Sequence, residues 1–263
     1  AELRDTFGAR AEPVTAENCR AVQERAWRHS RHLELQFDPA GAATPDEESP
    51  GWPPVDPAAV RARAAGVSSV RRLDDGTAVI AVDSLESVAI AAPYVTAAFA
   101  LAEHAERVVL DLRANGGGDP ATLALIAGRL LGDDAVHLSD VVYRDRVRQW
   151  WTADLAPGTA LRGPAAVLVS NRTYSSGEAL VYHLQARGRV AVVGERTPGA
   201  ADHITPIQVT AQVRGFLPEA VVRDVASGGN WEGTGVVPDV PCAAGEALEV
   251  ALRARDDWPA ARA

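Results

Sequence analysis

Ser175 stands where two different patterns meet. Ala165–Val169 is a continuous apolar run rich in valine, and from Gly177 onward apolar residues recur at Leu180, Val181 and Leu184. The first reads as a strand buried on both faces, the second as a helix. A serine at such a turn projects its Oγ past the strand's carboxyl end, beside helix N-terminal N–H groups that can hold an oxyanion. The chemistry suited to that seat is nucleophilic attack on a carbonyl. A structural role competes with it, because Ser175 and Glu178 also match S-x-x-E, the capping box. The G-x-S-x-G elbow is absent, with Thr173 in place of its first glycine, so an α/β-hydrolase elbow is disfavoured.

Two further segments carry candidate groups. Asp111-Leu-Arg-Ala-Asn-Gly-Gly-Gly118 is a buried strand feeding a triple-glycine turn, more glycine than a tight turn requires. Its spacing fits neither G-x-G-x-x-G nor the P-loop, and the chain has no lysine, all 26 basic residues being arginines. An oxyanion-binding loop is the remaining functional reading; a turn needing positive φ is the structural one. Gly229-Asn-Trp-Glu-Gly-Thr-Gly-Val-Val-Pro-Asp239 puts Glu232 on a glycine-fenced loop, where its plain reading is a carboxylate facing water. The six histidines show no metal-ligand spacing, so neither a metal nor another cofactor is expected. His32 follows a predicted helix and lies on the face opposite Leu33, Leu35 and Phe37, a position that by itself reads as surface.

The elements that must hold these groups follow from pattern. Helices are predicted over 13–30, about 57–65, 87–105, 121–131 and 244–254, and strands over 33–37, 77–82, 107–112, 137–142 and 190–193, with β-like runs from Ile204 to Val222. Thr15 and Asp119 are expected caps, with Pro120 at a first helical position. Residues 38–56 are proline-rich and acidic and read as an exposed loop. Tyr143, Trp150 and Trp151 form an aromatic segment that either covers a cleft or packs. Strands alternate with helices from about 77 to 195, which predicts an α/β fold with a mainly parallel sheet.

With 263 residues, 47% hydrophobic and 23% charged, the chain suits one sizeable domain with a small appendage. A net charge of −9 without a basic patch argues against a nucleic-acid partner. No apolar run reaches membrane-spanning length. The sequence starts at Ala1 and has no methionine, so it reads as a trimmed soluble chain, either cytoplasmic or exported with its leader removed. Cys19 and Cys242 are too few for a disulfide framework; one bridge or two buried thiols are the options.

Taken together, Asp111–Pro120, Thr173-Tyr-Ser-Ser-Gly-Glu178, Gly194-Glu-Arg-Thr-Pro-Gly199 and Trp231-Glu-Gly-Thr-Gly-Val-Val-Pro-Asp239, with Arg31-His-Leu33 as a weaker match, resemble the S41 peptidase family of tail-specific or carboxyl-terminal-processing proteases. The branch is the one similar to interphotoreceptor retinoid-binding protein and the tricorn core. The resemblance implies a ClpP/crotonase-like core over 67–263 behind a small helical subdomain, 1–66, with no room for a PDZ module. It implies Ser175 as nucleophile, His32 as base and Glu232 as the third member. Ala200 occupies the place of the lysine that another branch uses, and Ser30 replaces the customary aspartate before His32. The N–H groups of Ser176 and of a glycine among Gly116, Gly117 and Gly118 would hold the oxyanion, and His203 is the rival base. The expected activity is serine hydrolysis of a peptide or a small acyl compound. The alternatives are a non-catalytic binder of apolar ligands, lined by Trp150, Trp151 and Trp231, and a biosynthetic esterase or cyclase.

Overall fold

A computed structural model describes residues 14–41 and 56–261. Its centre is a six-stranded sheet in the order β11-β8-β7-β4-β3-β2, formed by Val67–Arg72 (β2), Thr77–Val82 (β3), Arg107–Asp111 (β4), Ala165–Val169 (β7), Ala191–Gly194 (β8) and Val240–Pro241 (β11). All neighbours are parallel except β2 and β3. All five residues of β7 are buried, as a strand covered on both faces requires.

Alternation along the strands separates the two faces. Ile80, Leu110, Val167 and Val192 belong to the larger core, with side chains from helices Val88–Leu101 (α3), Pro120–Leu131 (α4) and Ser176–Ala186 (α5). Val79, Val109, Leu168 and Val193 point the other way, onto Ala247 and Ala251 of Ala247–Arg253 (α6) and Trp258. Helices thus cover both faces of a mostly parallel α/β sheet, as the alternating pattern predicts. Strand β2 lies outside that prediction. Its sequence, Val-Ser-Ser-Val-Arg-Arg, lacks an apolar run because it is an edge strand with only one neighbour.

A second sheet carries the amino-terminal histidine to the site. Glu34–Phe37 (β1), His137–Val142 (β5), Val147–Trp151 (β6), His203–Thr210 (β9) and Val213–Asp224 (β10) assemble around β10. The first half of β10 pairs with β1 on one side and β9 on the other, Phe216 facing both Glu34 and Pro206; its last four residues pair with β5. The segment 30–33 is thereby fixed beside the start of β9. Ala16–Ala26 (α1) packs on β1, with Thr15 Oγ1 accepting from Asn18 N–H as its cap. Pro57–Ala62 (α2) packs against α3. Most of the predicted proline-rich loop lies outside the described residues. Cys19 and Cys242 are both free thiols, Cys19 buried and Cys242 partly so.

One buried cation ties three distant segments. The guanidinium of Arg189, whose residue is 3% exposed, donates to the carbonyls of Leu130 (2.5 Å), Leu161 (2.7 Å), Gly163 (3.0 Å) and Pro259 (3.2 Å). Burial pushes it down to about 10, still far above neutrality. Arg189→Met is expected to leave those carbonyls unpaired and cost about 3 kcal/mol. Urea unfolding should show the midpoint falling with the slope unchanged.

Candidate active site

The nucleophile candidate occupies a strained turn. After β7, Thr173 Oγ1 donates to Leu112 O (2.8 Å) and Ser170 Oγ to Arg113 O (2.6 Å), locking the 170–174 loop to the end of β4. Ser175 then adopts φ 52° and ψ −124° before α5 begins. A non-glycine residue there persists only where its surroundings over-determine it. Glu178 supplies that constraint. Its carboxylate is wholly buried and accepts from the N–H groups of Ser175 (3.1 Å), Gly199 (2.7 Å) and Ala200 (2.9 Å) and from Thr197 Oγ1 (2.5 Å). Burial pushes the Glu178 carboxyl up, against the pull of these four donors. The S-x-x-E pattern therefore reaches well beyond a local cap: its glutamate ties the serine turn to the 194–199 loop.

The triple-glycine turn lies against Ser175, held by the asparagine that opens it. Asn115 is fully buried; its Nδ2 donates to Val82 O (2.9 Å), its Oδ1 accepts from Gly117 N–H (2.9 Å), and its carbonyl accepts from Tyr174 N–H (3.0 Å). The expected oxyanion donors lie differently with respect to this turn. The Gly117 N–H is spent on Asn115 and the residue is buried, whereas Gly116, Gly118 and Ser176 line the cavity at Ser175. Gly117 has another purpose: at φ +95°, a Cβ on it would lie 2.8 Å from both Ser175 Cβ and Tyr174 O.

His32 is buried, contrary to the surface position that its place in the sequence suggests. It lines the same cavity as Ser175. Its ring packs edge-on to Tyr174, centroids 5.6 Å apart, and its Nδ1 bonds the main-chain carbonyl of Asp202. A carbonyl can only accept, so Nδ1 carries the proton and Nε2 the lone pair. Burial lowers the His32 pKa, aided by His203 and opposed by the Asp202 carbonyl and Glu232. The ring is accordingly neutral at pH 7, the form a general base needs.

Glu232 is half-buried, and its carboxylate is engaged by main chain and by Ser30 rather than by His32. It accepts from Arg31 N–H (2.6 Å) and Ser30 Oγ (3.2 Å) on one side and from Ala201 N–H (2.7 Å) and Asp202 N–H (3.0 Å) on the other. It clamps the turn bearing His32 to the turn whose carbonyl holds the imidazole. Ser30 serves that clamp; its Oγ also accepts from His32 N–H (3.2 Å). His203, at the start of β9, faces the same cavity and meets Tyr143 edge-on at 5.8 Å. Of the three tryptophans expected as lining, Trp150 and Trp231 do line the cavity; Trp151 instead stacks on His137 at 4.5 Å.

The cavity these residues share has a volume of about 620 Å³ and opens to solvent. It joins a strained serine, a neutral histidine and helix N-terminal N–H groups, the components of acyl transfer. The family model of peptidase family S41 matches residues 67–242, which include the serine turn and the Glu232 loop. The chain belongs to peptidase family S41. A lipoprotein from Streptococcus agalactiae has a similar fold, with a TM-score of 0.66 at 16% identity over 97% of this chain and 86% of that one. So does a candidate peptidase from Parabacteroides merdae, with a TM-score of 0.64 at 18% identity over 98% and 85%. The photosystem II D1 C-terminal processing protease matches over 72% of this chain and 50% of its own, at 22% identity and a TM-score of 0.52. At these identities the likeness is one of fold. Only the segment 38–66 separates β1 from β2 in this S41 member, too short for a PDZ module.

The two glycines separate strain from space. A methyl group on Gly116 would meet no atom within 4 Å beyond its chain neighbours, whereas Gly117 combines positive φ with contacts under 3 Å. Gly117→Ala should lose about 1–3 kcal/mol of stability, and Gly116→Ala should stay within about 0.5 kcal/mol of wild type. Parallel denaturant titrations of the two variants measure both.

Proposed function

We propose that this S41 peptidase is a serine hydrolase in which Ser175 is the nucleophile and His32 the general base. Nε2 of neutral His32 takes the Ser175 proton as Oγ attacks the substrate carbonyl, then returns it to the leaving amine or alcohol. The tetrahedral oxyanion is received by the N–H of Ser176 together with that of Gly116 or Gly118, each donor contributing about 3 kcal/mol. Water repeats the cycle on the acyl-enzyme.

Asp202 and Glu232 position the base. The Asp202 carbonyl fixes the tautomer, and Glu232 holds both partners in place while its charge favours the imidazolium that forms. The proposed triad is thus Ser175, His32 and Glu232, with the carboxylate acting through the backbone it grips. The single observation carrying this reading is a neutral, backbone-oriented His32 in one cavity with a positive-φ serine at a helix start. The substrate is a peptide or related acyl compound.

Two experiments test the proposal. A fluorophosphonate should modify Ser175 in wild type, as mapped by mass spectrometry. Ser175→Ala should abolish labelling and His32→Ala should slow it by roughly 10³-fold or more, while His203→Ala should slow it less than tenfold. Labelling that survives His32→Ala but not His203→Ala would make His203 the base.

The second is a pH profile. Because burial lowers the His32 pKa, the acid limb of the labelling rate should have its inflection below the ordinary imidazole value of about 6.5. Removing the Glu232 charge destabilises the imidazolium, so Glu232→Gln should move that inflection further down. An inflection above 6.5 in wild type would contradict a buried histidine base.

A further inference from the structure

The charge of the cavity sets what it can receive. Among the described residues no arginine lines the cavity, although four carboxylates do: Glu34, Glu86, Asp119 and Asp202. Two of these are engaged. Asp119 caps α4 through Ala121 N–H (2.9 Å) and receives Val88 N–H (2.7 Å), and Glu86 accepts from Ser84 Oγ (2.9 Å). Glu34 and Asp202 are half-buried with no ion pair among the described residues, Glu34 beside Tyr174 and Asp202 beside Ser30. Burial raises both carboxyls, Asp202 to about 6 with help from Glu232, as expected of acids lacking a counter-ion. Arg148 lies over the Trp150 ring, 4.7 Å from its centroid.

The floor adds an independent acceptor. His183 is 2% exposed and lines the cavity. Its Nδ1 meets Asp224 Oδ2 at 2.8 Å, and the same carboxylate oxygen receives Arg187 at 2.8 Å. Burial alone would raise Asp224, but the bonds from His183, Arg187 and Ser227 N–H hold it well below the carboxylate range. Burial lowers His183, which is therefore neutral, with its proton on Nδ1 facing the carboxylate. Its Nε2 is left as a lone-pair acceptor with no partner among the described residues. Apolar side chains, among them Leu138, Val141 and Val222, line the same cavity.

Both observations select for hydrogen-bond donors and positive charge, and against a free carboxylate. We propose that the cavity beside Ser175 receives a basic side chain, the guanidinium or ammonium of an arginine or lysine in a peptide substrate. Glu34 and Asp202 supply the charge, and His183 Nε2 an acceptor. The inference rests on the hydrolase reading for its link to cleavage, but it is a statement about binding and is tested as such.

Three blocked pentapeptide amides serve as probes, alanine throughout except for a central arginine, citrulline or glutamate. Their binding to Ser175→Ala is measured by calorimetry, so that turnover does not intrude. The arginine peptide should bind roughly tenfold or more tightly than its citrulline isostere, and its advantage should shrink as salt is raised. The glutamate peptide should bind weakest. Adding Glu34→Gln should cut the arginine advantage to within about threefold. Asp202→Asn, which keeps the main-chain carbonyl that holds His32, gives a second reading should the first variant fold poorly. Equal binding of arginine and citrulline peptides, preference for glutamate, or no binding of any peptide overturns the inference. Fluorophosphonate reaction at Ser175 in wild type reports the hydrolase reading separately. Labelling without arginine preference removes only the inference; arginine preference without labelling removes only the hydrolase.

Discussion

One buried carboxylate governs the geometry of the site. Glu178 has no cation beside it among the described residues and instead gathers four N–H and O–H donors from two separate segments. A carboxylate out of water is costly unless such donors surround it, so any displacement of the serine turn or the 197–200 turn exposes that cost. The unfavourable backbone of Ser175 is held by this means. The strain sits at one residue, and the force opposing its relief is distributed over a network. Thr197 extends the network, since its hydroxyl, while donating to Glu178, accepts from Val236 N–H at 2.7 Å and so couples the Glu232 loop to the same point.

Glu232 repeats the device on the opposite wall. There the donors come from Ser30, Arg31, Ala201 and Asp202, and the segment being immobilised carries the imidazole. Ser175 and His32 are therefore each fixed by a carboxylate that holds main chain. Where a carboxylate touches an imidazole directly it sets both tautomer and charge. Here the two tasks are divided: a neutral carbonyl sets the tautomer, and the carboxylate behind it supplies the field.

Much of this is legible in the sequence. The core strands β3, β4 and β7 are short continuous apolar runs, and that pattern arises because helices cover both faces. Asp119 and Pro120 announce α4 because capping chemistry is local. What stays hidden depends on long-range pairing. The edge strand β2 has no apolar run, and the burial of His32 is decided by β10, whose residues lie about 180 positions later in the chain. Gly117 and Gly116 are the same residue type; the Asn115 side chain that takes the Gly117 N–H, and the positive φ at Gly117, set them apart. Glu232 is visible as a carboxylate on a constrained loop, but its partners lie 30 and 201 residues away, beyond any spacing rule.

That separation has a temporal consequence. Ser175 and His32 both precede, in the order of synthesis, the loop that secures the imidazole turn. A chain that stops ahead of position 232 holds Ser175 and His32 yet lacks the carboxylate that joins the 30–31 and 201–202 turns. Order at the His32 turn thus waits on the chain as far as position 232.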